Sequence, residues 1–95
     1  MTTIAEGLRA AKARIDTPDK WWDGRSGGNP RTECAVIAVA MVGVSTAGMR
    51  DLIRALRVPE GSLRAHHELA KYNDTHTHAE LMALFDRAIE IAEAR

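Results

Sequence analysis

The feature that most constrains the fold is an uncharged, mostly apolar run from Cys34 to Val44. The run is too short for the roughly 20 residues that a membrane-spanning helix needs, so it predicts a buried segment of a folded core. Its β-branched residues also fit a buried strand, but the interleaved alanines and the neighbouring helical patterns favour a helix. Because its apolar side chains point in every direction, we expect other helices to surround it. We place its start at Asn29-Pro30 or at Thr32.

Length and composition bound the rest of the fold. The chain has 95 residues, which suits one domain spanning 1–95. Only 4% of the residues are aromatic, so the core must consist mainly of Ala, Leu, Ile, Val and Met, which suit packed helices. The predicted fold is all-α, a compact bundle of four to five short helices around a buried central helix.

Capping signals and apolar stripes mark the other helices. Thr3 and Glu6 form a predicted capping box that opens a helix ending near Asp16, and Thr77 with Glu80 opens the last helix in the same way. Between them, a third helix follows the cap residues Ser45 and Thr46, and Ser62 can cap a fourth. Turns are predicted at three places: 23–30, 58–62 and 73–76.

Four landmarks in the chain carry a resemblance to a known family. They are Pro18-Asp19-Lys20-Trp21 after the first helix, Cys34-Ala35 at the start of the apolar helix, Tyr72-Asn73-Asp74, and Thr77 leading into LMALFDRAIEIA. With these landmarks the chain resembles domain of unknown function 6197, a family of small proteins found mainly in actinobacteria and their phages. In that family the third landmark is usually Trp-Asn-Asp, and tyrosine replaces the tryptophan here.

The resemblance implies a helical fold and a bacterial or phage origin, but it carries over no catalytic residue, because the family has no established activity. The motif residues Tyr72, Asn73, Asp74 and Thr77 are interpreted as structural. In this interpretation the aromatic ring closes the core, while Asn73 and Asp74 bond the free backbone groups of a turn.

A DNA-binding helix-turn-helix is one alternative, because residues 52–67 form two predicted short helices joined by a Val-Pro-Glu-Gly-Ser turn. Two features oppose it. Arg57 stands where such motifs usually need glycine, and the 13 basic and 13 acidic residues of the chain cancel. The residues that would contact DNA are Arg54, Arg57, Ser62, Arg64 and His67.

A His-rich metal site is a second alternative, since four histidines fall within thirteen residues: His66, His67, His76 and His78. Adjacent helical side chains such as His66 and His67 point about 100° apart, so they cannot both face one ion easily. The spacing therefore favours a titratable turn, and no metal ligand is assigned.

The sequence predicts neither an enzyme nor a cofactor. Cys34 opens the most apolar segment, where thiols usually serve as inert packing groups. The glycines of the 23–30 turn lack the strand and lysine of a phosphate-binding loop. Glu90 and Glu93 lie at helical spacing on a surface helix, where solvated charge is expected.

The best sequence signal of function is the adjacent pair Trp21 and Trp22. Both rings cannot point inward on one short turn, so one is expected to be partly exposed, as interface anchors are. We therefore expect a non-catalytic module that binds a protein partner or itself, with Trp21, Trp22 and Arg25 at the interface. The single cysteine and the absence of a signal-peptide pattern predict a cytoplasmic location, and no membrane contact is expected.

Overall fold

The computed structural model of the chain describes residues 3–23, 33–57 and 65–94. In these ranges the extended pairing is limited to an isolated bridge between Trp21 and Glu33. The described residues otherwise form helices and turns, so the predicted all-α class is confirmed. There are five helices in the described ranges: α1 (Ile4–Ala13), α2 (Ala35–Val42), α3 (Thr46–Leu56), α4 (Ala65–Thr75) and α5 (His78–Glu93).

The longest helix of the described ranges, α5, packs against α1 and α3. The predicted capping box starts it: the Thr77 hydroxyl accepts from the Glu80 amide at 3.2 Å, and the Glu80 carboxylate accepts from the Thr77 amide at 2.8 Å. Its inner side then buries apolar residues at helical spacing, and each of the larger ones contributes about 1.5–3 kcal/mol when fully buried. The buried residues of α5 are Leu81, Leu84, Phe85, Ala88 and Ile89.

The first helix also follows its predicted stripe. The Thr3 hydroxyl accepts from the Glu6 amide at 3.1 Å, and the buried side continues through Leu8 and Ala11 to Ile15. The regular helix ends at Ala13 rather than near Asp16. The amide of Ile15 then donates to the Lys12 carbonyl, so the chain tightens into a turn that still brings Ile15 into the core.

The helices that the structure describes do not surround the apolar helix α2, so this part of the sequence prediction is wrong. Ala35, Ala38 and Val39 are buried against the rest of the fold, whereas Ile37, Ala40 and Met41 are exposed. The exposed fractions of Ile37 and Met41 are 41% and 62%. Of the described helices, α1 and α4 pack on α2. Its outer side is therefore an apolar surface.

The predicted start of α2 at residues 29–32 is also wrong. Cys34 is extended, with φ −83° and ψ 168°, and precedes the first helical residue, Ala35. Glu33 cannot be helical because both its backbone groups pair with the 20–22 segment: its amide donates to Lys20 and its carbonyl accepts from Trp22. The helix can begin only after that pairing ends.

Residues 73–75 belong to α4, so the predicted turn at 73–76 is wrong for all but its last residue. Asn and Asp favour turns when their side chains bond nearby backbone groups. Asn73 instead bonds residues far along the chain, which leaves its backbone free to remain helical. The Thr75 hydroxyl donates to the Lys71 carbonyl at 2.7 Å within the last helical turn, and the bend follows at His76.

Within the described ranges, every helix is too short or too polar to span a bilayer.

Two helices end at residues with left-handed backbone conformation. Gly43 closes α2 with φ +67°, as its sequence position suggests. Arg57 closes α3 with φ +62°, although a side chain there costs about 1–2 kcal/mol that glycine avoids. The arginine that stands at a glycine position of the helix-turn-helix pattern thus has the left-handed backbone that usually favours glycine.

We predict that Arg57→Gly stabilises the protein by about 0.5–1 kcal/mol, because it removes left-handed strain but adds freedom to the unfolded chain. The matched variant Gly43→Ala should destabilise it by about 1 kcal/mol, since a Cβ there meets no neighbour and only the backbone is strained. Urea denaturation measures both changes. A loss of stability in Arg57→Gly would contradict the assignment of left-handed backbone strain to Arg57.

Candidate functional site

The most elaborate polar site is centred on the side chain of Asn73, which is fully buried near the end of α4. Its Oδ1 accepts from the indole Nε1 of Trp21 at 2.7 Å and from the amide of Ala35 at 3.0 Å. Its Nδ2 donates to the carbonyl of Trp22 at 3.1 Å and to the Asp74 carboxylate at 3.3 Å. Both Oδ1 partners are donors and both Nδ2 partners are acceptors, so the orientation of the amide is fixed.

These bonds join three separate parts of the chain. Trp21 and Trp22 precede the 24–32 segment, Ala35 is the first residue of α2, and Asn73 itself lies on α4. The Ala35 amide is one of the groups that a helix N-terminus leaves without an intrahelical partner. The Cys34 side chain does not cap α2, and Asn73 supplies an acceptor for its first amide. A side chain from another helix therefore replaces the usual local cap.

A short pairing, which we call the neck (residues 20–22 with 33), holds together the two ends of the 24–32 segment. The Trp22 amide donates to the Glu33 carbonyl, and the Glu33 amide donates to the Lys20 carbonyl, both at 2.9 Å. Arg14 fastens the neck to the end of α1 through Nε and Nη2, each 2.7 Å from one carboxylate oxygen of Glu33. This two-point contact lowers the pKa of Glu33 from its ordinary value of 4.5.

The aromatic and histidine side chains next to Asn73 are also engaged. The ring of Trp21 lies 5.6 Å from that of His78, whose Nε2 donates to the Ile15 carbonyl at 2.7 Å. Tyr72 stacks on His76 with a centroid distance of 3.7 Å, and its hydroxyl donates to the Glu80 carbonyl at 3.4 Å. These contacts tie α4 to the start of α5.

The proton on His76 can be placed from its partners. Its Nδ1 lies 3.0 Å from the Tyr72 carbonyl and 2.9 Å from the Thr75 hydroxyl. The Thr75 hydroxyl already donates to Lys71, so it accepts from His76, as the carbonyl does. Nδ1 therefore carries the proton. Through it, the His76 ring donates to two groups in the last turn of α4.

The four motif residues make two kinds of contact: some bond residues nearby in the chain, and others bond residues far away in it. Thr77 caps α5, and Tyr72 packs against the core and bonds across to α5. Asp74 accepts from Asn73. The expected backbone bonds of Asn73 within a local turn are replaced by bonds to residues 38 to 52 positions away in the chain. The sequence analysis missed these partners because they lie far away in the chain, and no local sequence pattern predicts them.

The histidines do not gather around a common point. His66 and His67 are exposed on α4, whereas His76 and His78 bond backbone carbonyls. Among the residues that the structure describes, no group of three or more His, Cys, Asp or Glu side chains could hold a metal ion.

The residues of the DNA-binding alternative are only partly described. Arg54 lies on the exposed side of α3, where its Nη1 is 3.5 Å from the buried Asp51 carboxylate. Arg57 and His67 are exposed. Ser62 and Arg64 lie outside the described residues, as does the connection between α3 and α4. DNA binding by these residues stays a prediction.

The expected interface residues are placed as follows. Trp21 is half-buried, packs against the core and donates to Asn73. Trp22 is half-buried as well. Arg25 lies outside the described residues. An interface role for this group stays a prediction.

The structure also has an exposed apolar surface on α2 that the sequence analysis did not predict. We call it the α2 face: Ile37, Ala40 and Met41, all exposed on one side of α2. A helix that is apolar on all sides gives no sign of which side faces the core. The signal that could have found it is the brevity of the helix, because few neighbours can wrap a helix of two turns.

We predict that Asn73→Ala lowers the free energy of unfolding by about 2–4 kcal/mol, because it removes the acceptor of the buried Ala35 amide and of the part-buried Trp21 indole, together with a donor to the Trp22 carbonyl. Tryptophan emission should change as well, since Trp21 loses its bond. Lys71→Ala, an exposed change on the same helix, should stay within about 0.5 kcal/mol of the wild type. Equal stabilities for the Asn73→Ala and Lys71→Ala variants would contradict a central role for this amide.

A second prediction concerns the stability of the fold at acidic pH. Because the folded-state pKa of Glu33 is lowered, its bond to Arg14 stabilises the fold above the ordinary value of 4.5 and is lost as pH falls through the folded pKa. Unfolding curves of Glu33→Gln should therefore depend less on pH below about 5 than those of the wild type. Glu90→Gln, an exposed change on α5, is the control. An unchanged pH dependence in Glu33→Gln would refute the contribution of this pair.

Comparison with known proteins agrees with the resemblance seen in the sequence. A family model described as "Family of unknown function (DUF6197)" matches residues 1–91, a span that includes the neck, α2 and the Asn73 site. No curated protein and no solved structure matches the chain. The chain therefore belongs to DUF6197, a family of unknown function.

Proposed function

We propose that the protein acts by binding another polypeptide chain and carries out no reaction of its own. The observation that carries this proposal is the exposed α2 face. Ile37 and Met41 are the large hydrophobic side chains in the described ranges that are exposed, and they lie on neighbouring turns of one helix. Single exposed apolar residues are common, but two together on an uncharged helix are typical of a contact surface.

The chemistry of the surrounding helix supports the same proposal. From Cys34 to Met49 the chain carries no charged side chain. Depletion of charge with enrichment of Met and large apolar residues is the composition found at the buried centre of protein interfaces. Nucleic acid, by contrast, is bound mainly through basic side chains, which this surface lacks.

The absence of a reaction is proposed from how the polar groups are used. All four hydrogen-bonding positions of the Asn73 amide are occupied by protein groups, so it has no capacity left for a substrate. A groove of about 530 Å³ between α1 and α5 is lined largely by charged side chains. Ion pairs within that lining join Arg9 to Glu93 at 2.8 Å and Lys12 to Asp86 at 2.7 Å.

Photo-cross-linking tests the proposed function. A benzophenone amino acid in place of Met41 should yield a covalent adduct with a polypeptide in cells that express the protein. The same amino acid in place of Ala83, which is exposed on α5, is the matched control and should not. A third position, Trp22, tests the predicted tryptophan interface separately. Failure at position 41 to exceed position 83 would overturn the role of the α2 face.

A further inference from the structure

We infer that the outer side of α3 is a binding site for duplex DNA, which it contacts through the phosphate backbone and without regard to base sequence. The site consists of three arginines, Arg50, Arg54 and Arg57, which we call the arginine stripe. The stripe lies on a different helix from the α2 face, so this inference goes beyond the proposed function. It also differs from the helix-turn-helix alternative, because it needs neither a recognition helix nor residues 58–64.

The arginine stripe is a narrow line of positive charge. Arg50 and Arg54 are exposed on α3, and Arg57 is the exposed C-cap residue of the same helix. At about 100° and 1.5 Å per residue, their Cα atoms fall within about 60° of the helix circumference and span about 10 Å along its axis. All three side chains can therefore contact one extended partner at the same time.

The one acidic residue of α3, Asp51, does not face the solvent. It is fully buried, and the Arg54 Nη1 lies 3.5 Å from its Oδ1. The side chain of Arg54 is still 46% exposed, so a partner in the solvent can reach it. Arg50 and Arg57 make no ion pair within the described ranges. The exposed charge of α3 is therefore entirely positive.

The zero formal charge of the whole chain hides a separation of charge between helices. α5 has four acidic residues and one arginine, which give it a net charge of −3. α3 together with Arg57 has three arginines and one aspartate, which give a net charge of +2. Such a separation turns the positive helix towards a polyanion. The cancelling charges of the whole chain therefore do not oppose DNA binding at α3.

The lack of exposed apolar area on α3 selects among anionic partners. Within the described ranges, the large hydrophobic side chains that are exposed lie on α2 and not on α3. An acidic polypeptide or an anionic membrane needs such area, because an exposed ion pair contributes at most about 1 kcal/mol and three basic residues attract a bilayer only weakly. Duplex DNA does not need it, because each arginine that neutralises a phosphate releases condensed counterions.

Two further properties of the arginine stripe favour a DNA duplex over other nucleic acids. Single-stranded nucleic acid is held largely by bases that stack on aromatic side chains, and residues 46–57 contain no aromatic residue. Duplex RNA is recognised largely through its 2′-hydroxyl groups, and residues 50–57 have no hydroxyl or amide side chain to bond them. The closely spaced phosphates of B-DNA need only positive charge.

Fluorescence anisotropy of a labelled, mixed-sequence DNA duplex over a series of salt concentrations tests the inference. The logarithm of the binding constant should fall with the logarithm of the salt concentration with a slope of about −2.7, the value for three phosphates. Arg50→Gln should weaken binding about eightfold at about 0.1 M salt and make the slope shallower by about 0.9. Arg57→Gly should do the same, and because it is expected to stabilise the fold, its weaker binding cannot come from unfolding.

Two control variants separate the arginine stripe from a general loss of positive charge. Arg50→Lys keeps the charge and should bind DNA within about twofold of the wild type. Arg9→Gln removes the same charge from α1, where Arg9 pairs with Glu93 at 2.8 Å, and should leave the slope unchanged. A wild type that does not bind DNA at low salt overturns the inference, as does an equal loss of affinity in Arg9→Gln and Arg50→Gln.

Competition tests the identity of the polyanion. The competitors are a duplex RNA of the same sequence, poly-glutamate, and vesicles of phosphatidylserine and phosphatidylcholine in equal amounts. At equal concentration of negative charge, each should displace the labelled DNA less well than unlabelled DNA does. Better displacement by any of the three overturns DNA as the occupant. The photo-cross-linking at position 41 concerns α2 alone, so the proposed function and this inference fail separately.

Discussion

The buried amide of Asn73 is the interaction on which the arrangement of this fold depends. It accepts from a tryptophan ring and from the first amide of α2, and it donates to the backbone before the 24–32 segment and to Asp74. A buried amide is costly unless its bonds are made, so its neighbours can be arranged in few other ways. Satisfying this one side chain fixes α4, the neck and the start of α2 relative to each other.

That constraint also explains why an apolar helix can have an exposed side. Asn73 holds α2 at its N-terminus, and Ala35, Ala38 and Val39 lie in the core on the side that packs against α1 and α4. The outer side meets none of the described helices, and the left-handed Gly43 turns the chain towards α3. The result is a helix that presents Ile37 and Met41 outward, and the proposed binding role rests on this exposure.

Local signals predicted the elements well. Thr77 with Glu80 and Ser45 before α3 act within one turn of the chain, and each lies at the predicted helix start. The errors came from long-range effects. Asn73 and Asp74 are turn-formers by composition, but partners up to 52 positions away hold Asn73 within a helix. The sequence of α2 is apolar on every side, so it predicts burial without saying which side has no neighbour. The site was therefore predictable as a motif but not as a set of contacts.

Amide hydrogen exchange followed by nuclear magnetic resonance tests the central claim about Asn73 most directly. The indole proton of Trp21 belongs to a half-buried side chain, and the amide proton of Ala35 belongs to the first residue of a helix; protons at such places usually exchange quickly. Because both protons are bonded to the buried Oδ1 of Asn73, we expect them to exchange as slowly as the core amides of α5, such as that of Phe85. Exchange of either proton at the rate of a frayed helix end would contradict the account.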